Sequence, residues 1–426
     1  MSDPSVKAEL ISKAKAIFTN NLLSGYSSWI HQNYEFIAPA KKEYTFQWLW
    51  DSAFHAIVLS HFDIEWAKKE IRTFLLAQKE NGFLPHIIFW GTSKILPHWA
   101  YIESAISPRP HHSALTQPPV FPLAIERIYS VDSDKEFLKE TLPKMAKYLR
   151  WLLAYRDPDG DGLIAIISPN ESGMDELPVF QIVSGYSGFR TLSLRYHYRK
   201  TDFLNHNNFY NSKTILKKDY FNVEEVLFNT VFIEAARALS RMFLEIENKA
   251  EADFFSTIAK KGEESMLEKM WDEQDEIFYA LFTKNEIKAR VKTVASLTPL
   301  LLEGLKGKKL KTLVKKHLLN PNEFWLPYPV PSVAKSEPYF IPTEIPNNFI
   351  SQTSLLWRGP TWMSTNWLLV KGLRRHGYKK EADVIAQKSL DMVERYGFRE
   401  FYNPETGEGY RRDNFGWSTL ILDMLE

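Results

Sequence analysis

Residues 168–178 form a short polar segment in which acidic side chains are concentrated. It carries Glu171, Asp175 and Glu176 between an apolar run and a proline. Carboxylates this close together are either solvated charges on a surface loop or the acidic groups of an active site. Gly173 lies among them and lets the backbone approach a ligand closely. Which alternative holds depends on the other segments that share the site.

A second acidic segment lies near the end of the sequence, where Glu400, Glu405 and Glu408 stand beside phenylalanine and tyrosine. Two carboxylates from distant segments, in aromatic surroundings, are what glycoside hydrolysis needs. One donates a proton to the leaving oxygen, and the other activates water or attacks carbon. Glu400 is preferred because a Tyr-Asn-Pro turn follows it and would fix its direction, whereas Glu405 and Glu408 flank a glycine in an exposed turn.

Four further side chains are candidates for holding a sugar. Trp48 and Asp51, at a helix entrance, would present an indole face and a carboxylate to one sugar, and Gln117 would add an amide. Arg358 lies beside tryptophan just before a helix, and its guanidinium can hold a hydroxyl pair or a carboxylate. The structural alternatives are a tryptophan that packs helices and an arginine that caps loop carbonyls.

Half of a calcium-binding pattern precedes the acidic segment. Asp157, Asp159 and Asp161 are followed by Gly162, but Ser168 occupies the twelfth position, where a bidentate glutamate is required. The mismatch favours a turn that positions the acidic segment, and it leaves calcium binding open.

Composition narrows the function further. The 426 residues are 44% hydrophobic and 25% charged, with a net charge of +1, so neither nucleic acid nor an anionic membrane is an expected partner. Aromatic residues reach 14%, with 13 tryptophans, which suits sugar faces. Cysteine is absent, and no HExxH or GxSxG pattern occurs, so we predict no metal, no cofactor and no serine nucleophile. Without an apolar leader or an eighteen-residue apolar run, we expect a cytoplasmic protein.

Helices in consecutive pairs are the elements that would position these residues. Apolar spacing predicts a first helix over residues 5–30, and Asp51 or Ser52 as the cap of the next. Further caps are predicted at Asp63 and at Asp132 or Ser133. The last predicted helix pair spans 361–375 and 380–395.

About a dozen helices result, with a strand signal only in short stretches such as 163–167. Because no solenoid repeat is present, we predict an all-α, closed (α/α)6 toroid rather than an open array. Residues 1–426 would form a single catalytic domain with an irregular insertion at about 197–221. The aromatic polar loops would then surround one cleft.

Several motifs in this order resemble glycoside hydrolase family 63, and above all its small members, the mannosylglycerate and glucosylglycerate hydrolases. The resemblance runs from residue 44 to residue 417. The motifs lie at 44–52, 82–86, 116–119, 170–175, 328–332, 357–362 and 400–404.

The resemblance implies an (α/α)6 barrel and inversion at the anomeric carbon. It implies that Asp175 is the general acid and Glu400 the general base. The substrate-binding positions expected from the motifs and from the residue chemistry are Tyr44, Trp48, Asp51, His86, Gln117, Arg358 and Trp362.

We therefore predict an inverting α-glycosidase that acts on a small α-mannoside or α-glucoside, above all a 2-O-glycosyl-glycerate. Alternatives are a trehalase-like enzyme or an oligosaccharide α-glucosidase on the same barrel, and a sugar-binding protein without catalysis. The choice between glucose and mannose and the oligomeric state stay open.

Overall fold

The computed structural model describes residues 4–91, 96–104, 110–186, 191–343 and 356–426. Helices dominate these ranges, and none of them is both long and apolar enough to cross a membrane. The helices are α1 (Pro4–Asn21), α2 (Leu49–Leu59), α3 (Ile64–Leu75), α4 (His98–Ile102), α5 (Phe121–Asp132), α6 (Lys135–Arg156), α7 (Pro178–Val183), α8 (Thr191–Asn207), α9 (Ser212–Lys218), α10 (Val226–Glu245), α11 (Lys249–Ser265), α12 (Gly307–Thr312), α13 (Met363–Arg375), α14 (Lys379–Tyr396) and α15 (Ile421–Met424).

Shorter helical segments extend or replace some of these helices. The 3₁₀ segments are Pro169–Ser172, Val294–Leu301 and Gly416–Leu420, and the π-helical turns are Met266–Met270 and Leu313–Leu318.

The described helices form two concentric rings. In the inner ring α2 contacts α5, α5 contacts α10, α10 contacts segment 294–301, and that segment contacts α13. Segment 416–420 closes the ring because it contacts both α13 and α2. The outer helices α3, α6, α11 and α14 each pack on the inner helix before them, and α1 packs on segment 416–420. The prediction of a closed (α/α)6 toroid is confirmed.

The sequence explains which helices lie inside. All residues of α2 are buried, and it carries a single charged side chain, Asp51. The outer helix α14 instead buries one stripe, with Ala382, Ile385 and Ser389 at helical spacing, and its many charges face outward. A helix that is apolar on all sides is stable only when it is covered on all sides, so patterning selects the ring.

The strands are short and lie mainly at the ends of helices. They are β1 (Leu22–Ser27), β2 (Gln32–Ile37), β3 (Gln47–Trp48), β4 (Ile87–Ile88), β5 (Ala165–Ile166), β6 (Val223–Glu224), β7 (Trp271–Asp272), β8 (Ile277–Phe278), β9 (Leu281–Phe282), β10 (Ile287–Lys288), β11 (Phe401–Tyr402) and β12 (Gly409–Tyr410). The strands β10, β9, β6 and β5 form one four-stranded sheet in that order. The predicted strand signal at 163–167 is confirmed by β5.

The predicted first helix is too long. It ends at Asn21, and β1 and β2 follow as an antiparallel hairpin with Leu22 opposite Ile37. Pairing the strands satisfies their backbone groups while Phe36 and Ile37 become buried. Gly25, a poor helix residue, lies within β1.

Two of the predicted helix caps are wrong. Helix α2 begins at Leu49, so Asp51 stands in its first turn instead of capping it. Asp134, not Asp132 or Ser133, caps α6, because its carboxylate accepts hydrogen bonds from the backbone amides of the first turn of the helix. The cap at Asp63 is confirmed by its bond from the Trp66 amide at 3.0 Å.

The last pair, α13 and α14, matches its prediction within two residues at each end. Segment 197–221 is not irregular, since α8 and α9 cover most of it. A short apolar stripe explains the second helix, because Ile215 and Leu216 are buried against Leu115 and Ile167.

Candidate active site

A cavity of about 1240 Å³ lies over the N-terminal ends of α2 and α13. Its walls are aromatic and acidic, and they come from segments spread over most of the chain. Eight of the nine predicted site residues line it, and these are Tyr44, Trp48, Asp51, His86, Gln117, Asp175, Trp362 and Glu400.

Glu400 is held at the cavity wall by its own backbone and by a tyrosine. It directly precedes β11, its amide donates to the Arg412 carbonyl at 3.1 Å, and its carbonyl accepts from Trp417 Nε1 at 3.1 Å. The Tyr44 hydroxyl donates to Glu400 Oε1 at 3.0 Å. Burial, followed by the charge of Glu400, raises the pKa of Tyr44, so this hydroxyl keeps its proton.

The other two carboxylates of that segment lie elsewhere. Glu405 is exposed and pairs with Lys335 at 2.7 Å. Glu408 is exposed and accepts from the Tyr410 hydroxyl at 3.1 Å. Neither lines the cavity, so Glu400 is the member of the group that shares the cavity with Asp175, the other predicted catalytic carboxylate.

The segment that carries Asp175 is anchored by a buried ion pair. Arg156, the last residue of α6, makes a bidentate pair with Glu171 at 2.6 and 2.7 Å. The same carboxylate accepts the amides of Thr116 at 3.1 Å and Ile167 at 2.8 Å. Glu171 is therefore a structural residue that ties the Asp175 segment to β5 and to the segment of Gln117.

Gly173 allows two walls of the cavity to pack closely together. Its φ of +72° is left-handed, and an added Cβ would lie 2.7 Å from the Trp50 ring. Glycine avoids both penalties, since it has no Cβ to strain or to collide. The predicted close approach of the backbone is thus toward Trp50, and Gly173 also lines the cavity.

Asp51 is a deeply buried acid of the cavity floor. It is 3% exposed, and its Oδ1 has no hydrogen-bond partner in the part of the chain that the structure describes. Burial, with a smaller contribution from Glu400, raises its pKa to about 8. An unsatisfied carboxyl in a cavity suits a ligand that brings hydroxyl groups.

Trp48 and His86 form a second part of the floor. Strands β3 and β4 pair Trp48 with Ile87, which sets the indole edge to face with the His86 ring at 5.7 Å. His86 Nδ1 lies 2.5 Å from Ser113 Oγ, and its Nε2 lies 3.7 Å from Glu103. Burial lowers the pKa of His86 to about 3, so the ring is neutral and can donate a single hydrogen bond.

Trp362 belongs to a tryptophan wall. It caps α13 and stacks on Trp357 with ring centres 3.8 Å apart, while Trp417 meets it nearly edge-on. Arg358 is not among the residues that line the cavity. Instead it is 2% exposed, and its Nη1 donates to Gln181 Oε1 at 3.0 Å, so the predicted substrate contact is not made from the cavity wall.

Sequence reasoning missed the contribution of α8. Tyr198, Arg199 and Asp202 line the cavity from this helix. Their spacing, one and four residues apart, places them on one helical face, and that pattern was the available signal. Arg199 lies 3.4 Å from Glu103 and 3.7 Å from Asp202. Burial and the charge of Asp202 raise the pKa of Glu103.

The cavity has basic as well as acidic side chains. Lys41, Arg199 and Arg411 line it, so an anionic group on a ligand would find cations within the same space. Among the described residues, no carboxylate or histidine of the cavity belongs to a group close enough to share a metal ion.

Comparison with known proteins places this geometry among glycosidases. Residues 44–418 match the model of the family described as mannosylglycerate hydrolase MGH1-like glycoside hydrolase domain. A mannosylglycerate hydrolase of Thermus thermophilus is 29% identical over 91% of this chain and 95% of its own. A glucosylglycerate hydrolase of Mycolicibacterium hassiacum is 26% identical over 90% of this chain and 92% of its own.

A solved structure agrees with these relatives. A GH63 mannosylglycerate hydrolase from Thermus thermophilus, in complex with Tris and D-glycerate, superposes with a TM-score of 0.82. It is 28% identical and covers 98% of this chain and all of its own. The similarity extends over both rings and the cavity.

Proposed function

We propose, since the chain belongs to the mannosylglycerate hydrolase MGH1-like glycoside hydrolase family, that it hydrolyses a 2-O-α-glycosyl-glycerate with inversion at the anomeric carbon. The observation that carries the proposal is that Asp175 and Glu400, remote in sequence, line one aromatic cavity. Basic side chains line the same cavity. We also propose that residues 1–426 act as one catalytic domain. The cytoplasmic location remains a prediction.

Two carboxyl groups divide the chemistry. Protonated Asp175 gives its proton to the glycosidic oxygen as the bond from that oxygen to the anomeric carbon breaks. A water attacks the anomeric carbon from the opposite face, and Glu400 takes the proton that the water loses. The hydrogen bond from Tyr44 keeps the Glu400 carboxylate in one orientation during this step. The products are a free sugar and glycerate.

The sugar is proposed to lie against Trp48 and to be held through its hydroxyls. Asp51 would accept from a sugar hydroxyl with the oxygen that has no protein partner among the described residues. Gln117 has its oxygen engaged by the Trp50 amide at 3.4 Å, so its NH₂ group is the part that would face the substrate. The tryptophan wall at Trp362 would cover the apolar face of the sugar ring.

The carboxylate of glycerate is proposed to lie among Lys41, Arg199 and Arg411. Arg199 meets its two acidic neighbours through one terminal nitrogen, Nη1. A guanidinium has further donors in a planar fork, so Arg199 is suited to bind a second carboxylate. This charge pattern separates a glycerate aglycone from a neutral one, such as the second glucose of trehalose.

The test is a panel of matched glycosides followed by ¹H NMR of the anomeric protons. The panel contains 2-O-α-mannosyl-glycerate, 2-O-α-glucosyl-glycerate, 2-O-α-glucosyl-glycerol and trehalose. Glucosyl-glycerol differs from glucosyl-glycerate only where a carboxylate is replaced by a hydroxymethyl group, so it isolates the anionic requirement. Because the reaction inverts the anomeric carbon, we expect a β-sugar as the first product. We also expect kcat/KM for the glycerate substrates to be at least about tenfold above that for the glycerol analogue, because the analogue loses one hydrogen bond to a charged group.

Other results would overturn specific parts. An α-sugar as the first product would contradict inversion. Trehalose or a neutral oligosaccharide as the preferred substrate would favour the trehalase-like or α-glucosidase alternative. Binding without hydrolysis of any member would indicate a sugar-binding protein.

A further inference from the structure

Four carboxylates outside the cavity gather beside the four-stranded sheet. Asp159 and Asp161 belong to the turn after α6, Glu224 to β6, and Glu286 to the turn between β9 and β10. One carboxylate oxygen from each lies within 4.8 Å of the other three. None of the four lines the cavity, and the proposed reaction does not use them.

Glu224 distinguishes this cluster from an ordinary acidic surface. It is 6% exposed, and its Oε2 is buried with no hydrogen-bond partner among the residues described. Placing an ionised carboxylate in the interior is costly unless a positive group or donor meets it. Glu224 is therefore a buried acid of the cluster with one carboxylate oxygen available to a ligand.

A lysine partly neutralises the cluster. Lys269 Nζ lies 2.7 Å from Asp161 Oδ2, 2.5 Å from Glu286 Oε1 and 3.7 Å from Asp159. It forms no ion pair with Glu224 among the described residues. The cluster thus has four carboxylates and a single ammonium group. This excess of acidic groups could balance the charge of a divalent cation.

We propose that this cluster is a calcium site formed by Asp159, Asp161, Glu224 and Glu286. Calcium binds oxygen ligands at about 2.3–2.6 Å, so oxygens on opposite sides of the ion lie about 4.6–5.2 Å apart. The four oxygens all lie within 4.8 Å of one another, so a single calcium ion can reach all of them. Magnesium needs about 2.0–2.1 Å with near-octahedral geometry and keeps its waters, so it fits less well. Lys269, whose side chain is 30% exposed, swings toward solvent as the ion enters.

The structure also explains the incomplete sequence pattern. Asp157, the first residue of the pattern, closes the turn instead, because its Oδ2 accepts the Gly162 amide at 3.1 Å. The glutamate missing at Ser168 is replaced by Glu224 and Glu286, which come from other parts of the sheet. A scan for contiguous calcium loops cannot find such a site, since its ligands are brought together by the sheet.

The site has a consequence for the segment that carries Asp175. The turn at 157–162 leads through β5 into that segment, and β5 pairs with β6, the strand of Glu224. A bound ion would link the turn to the sheet and hold the start of the segment in place. The ion would act on stability, and the proposal does not depend on which glycoside is the substrate.

The experiment uses the full chain after removal of metals with EDTA. Thermal unfolding and isothermal titration calorimetry are measured with CaCl₂ and, separately, MgCl₂. We expect millimolar calcium to raise the unfolding midpoint by several degrees and magnesium to raise it less. Glu224→Gln should lose the calcium-dependent shift, and Lys269→Met should bind calcium more tightly because the competing ammonium is gone.

A matched control is available in a second group of close ligands. His61, Asp423 and Glu426 also lie within 4.8 Å of one another, so Glu426→Gln should leave the calcium response unchanged. If Glu224→Gln does not fold, Glu286→Gln serves in its place. No calcium-dependent shift in the wild type, or a full shift in Glu224→Gln and Glu286→Gln, would overturn the site. Equal calcium affinity in the wild type and Lys269→Met would contradict displacement of the lysine.

Discussion

Glu171 and Asp51 are both buried carboxylates near the cavity, but their surroundings differ completely. Glu171, behind the acid segment, has a bidentate arginine and two backbone amides for its oxygens. Asp51, on the cavity floor, has an oxygen without a partner among the described residues, and a pKa raised to about 8. Both oxygens of Glu171 are thus engaged, whereas one oxygen of Asp51 is not.

The difference separates stability from function. A buried charge with all its partners holds the fold together, and removing one partner leaves the other exposed to the low-polarity interior. A buried acid with an unpartnered oxygen destabilises the empty protein, and a substrate hydroxyl could supply the missing partner. Variants of the anchor should therefore reduce stability, and variants of the floor and its catalytic acids should reduce activity.

The largest effect is expected for Asp175→Asn. An amide cannot donate an acidic proton to the glycosidic oxygen, so kcat should fall by about 10²–10⁴-fold on glycosyl-glycerates. Because the side chain is similar in size, the unfolding midpoint should stay close to that of the wild type. Steady-state kinetics beside thermal unfolding checks both halves. Near-normal turnover would remove Asp175 from the role of acid, and a large loss of stability would break the separation between the two regions.

Arg156→Met is expected to destabilise the protein by about 3–5 kcal/mol, the usual cost of leaving a buried charge without its partner. Chemical denaturation gives the free energy of unfolding. At low temperature, where the variant is still folded, its KM should remain near the wild-type value because Arg156 does not touch the cavity. A loss below about 1 kcal/mol would show that the amides of Thr116 and Ile167 alone stabilise Glu171.

Tyr44→Phe tests how the floor fixes the base. It removes the hydrogen bond to Glu400 and leaves the ring contacts with Trp48 and Phe415 in place. A hydrogen bond to a charged group contributes about 1.5–3 kcal/mol, so kcat/KM should fall roughly ten- to a hundredfold. The fall should lie mainly in kcat. An effect on KM alone would indicate that Tyr44 binds substrate and does not orient the base.

Asp51→Asn should change how stability depends on pH. The pKa of Asp51 is about 8 when folded, against 3.8 for an ordinary aspartate, so between these values only the folded state holds the proton. Wild-type stability from this group is complete below about pH 4 and is lost as the pH rises toward 8. The unfolding midpoint of Asp51→Asn, relative to that of the wild type, should therefore be higher at pH 8 than at pH 4. A constant difference across this range would contradict the raised pKa.

The smallest effect is expected for Arg150→Met, the matched control for Arg156. Arg150 also makes a bidentate pair, at 2.8 Å to both oxygens of Glu251, but both side chains are partly exposed. Surface pairs contribute about 0–1 kcal/mol, so the free energy of unfolding should change by no more than that. Equal losses for the two arginines would mean that burial does not set the importance of these pairs.

The sequence predicted the pairing of the helices, because apolar residues recur at helical spacing and cap and turn residues separate one helix from the next. It also offered Asp175 and Glu400 as candidates, both through the motifs that resemble family 63, and Glu400 also through the Tyr-Asn-Pro turn that follows it. It did not reveal the role of Glu171, since the neighbouring Asp175 has the same charge and only the position of Arg156 distinguishes them. The place of Arg199 was missed because residues 197–221 were interpreted as an irregular insertion, so the helical face shared by Tyr198, Arg199 and Asp202 was not considered.

The hydrogen bonds that Glu171 accepts should also affect how fast two backbone amides exchange their hydrogens with solvent. Exposing the Thr116 or Ile167 amide to solvent would break its hydrogen bond to Glu171, which is also paired with the buried Arg156. We therefore expect both amides to be protected from exchange by local fluctuation. In deuterium both should exchange only through global unfolding, far more slowly than a catalytic turnover. We therefore expect the backbone at Thr116 and Ile167, next to Gln117 and the segment of Asp175, to stay in place when a substrate enters.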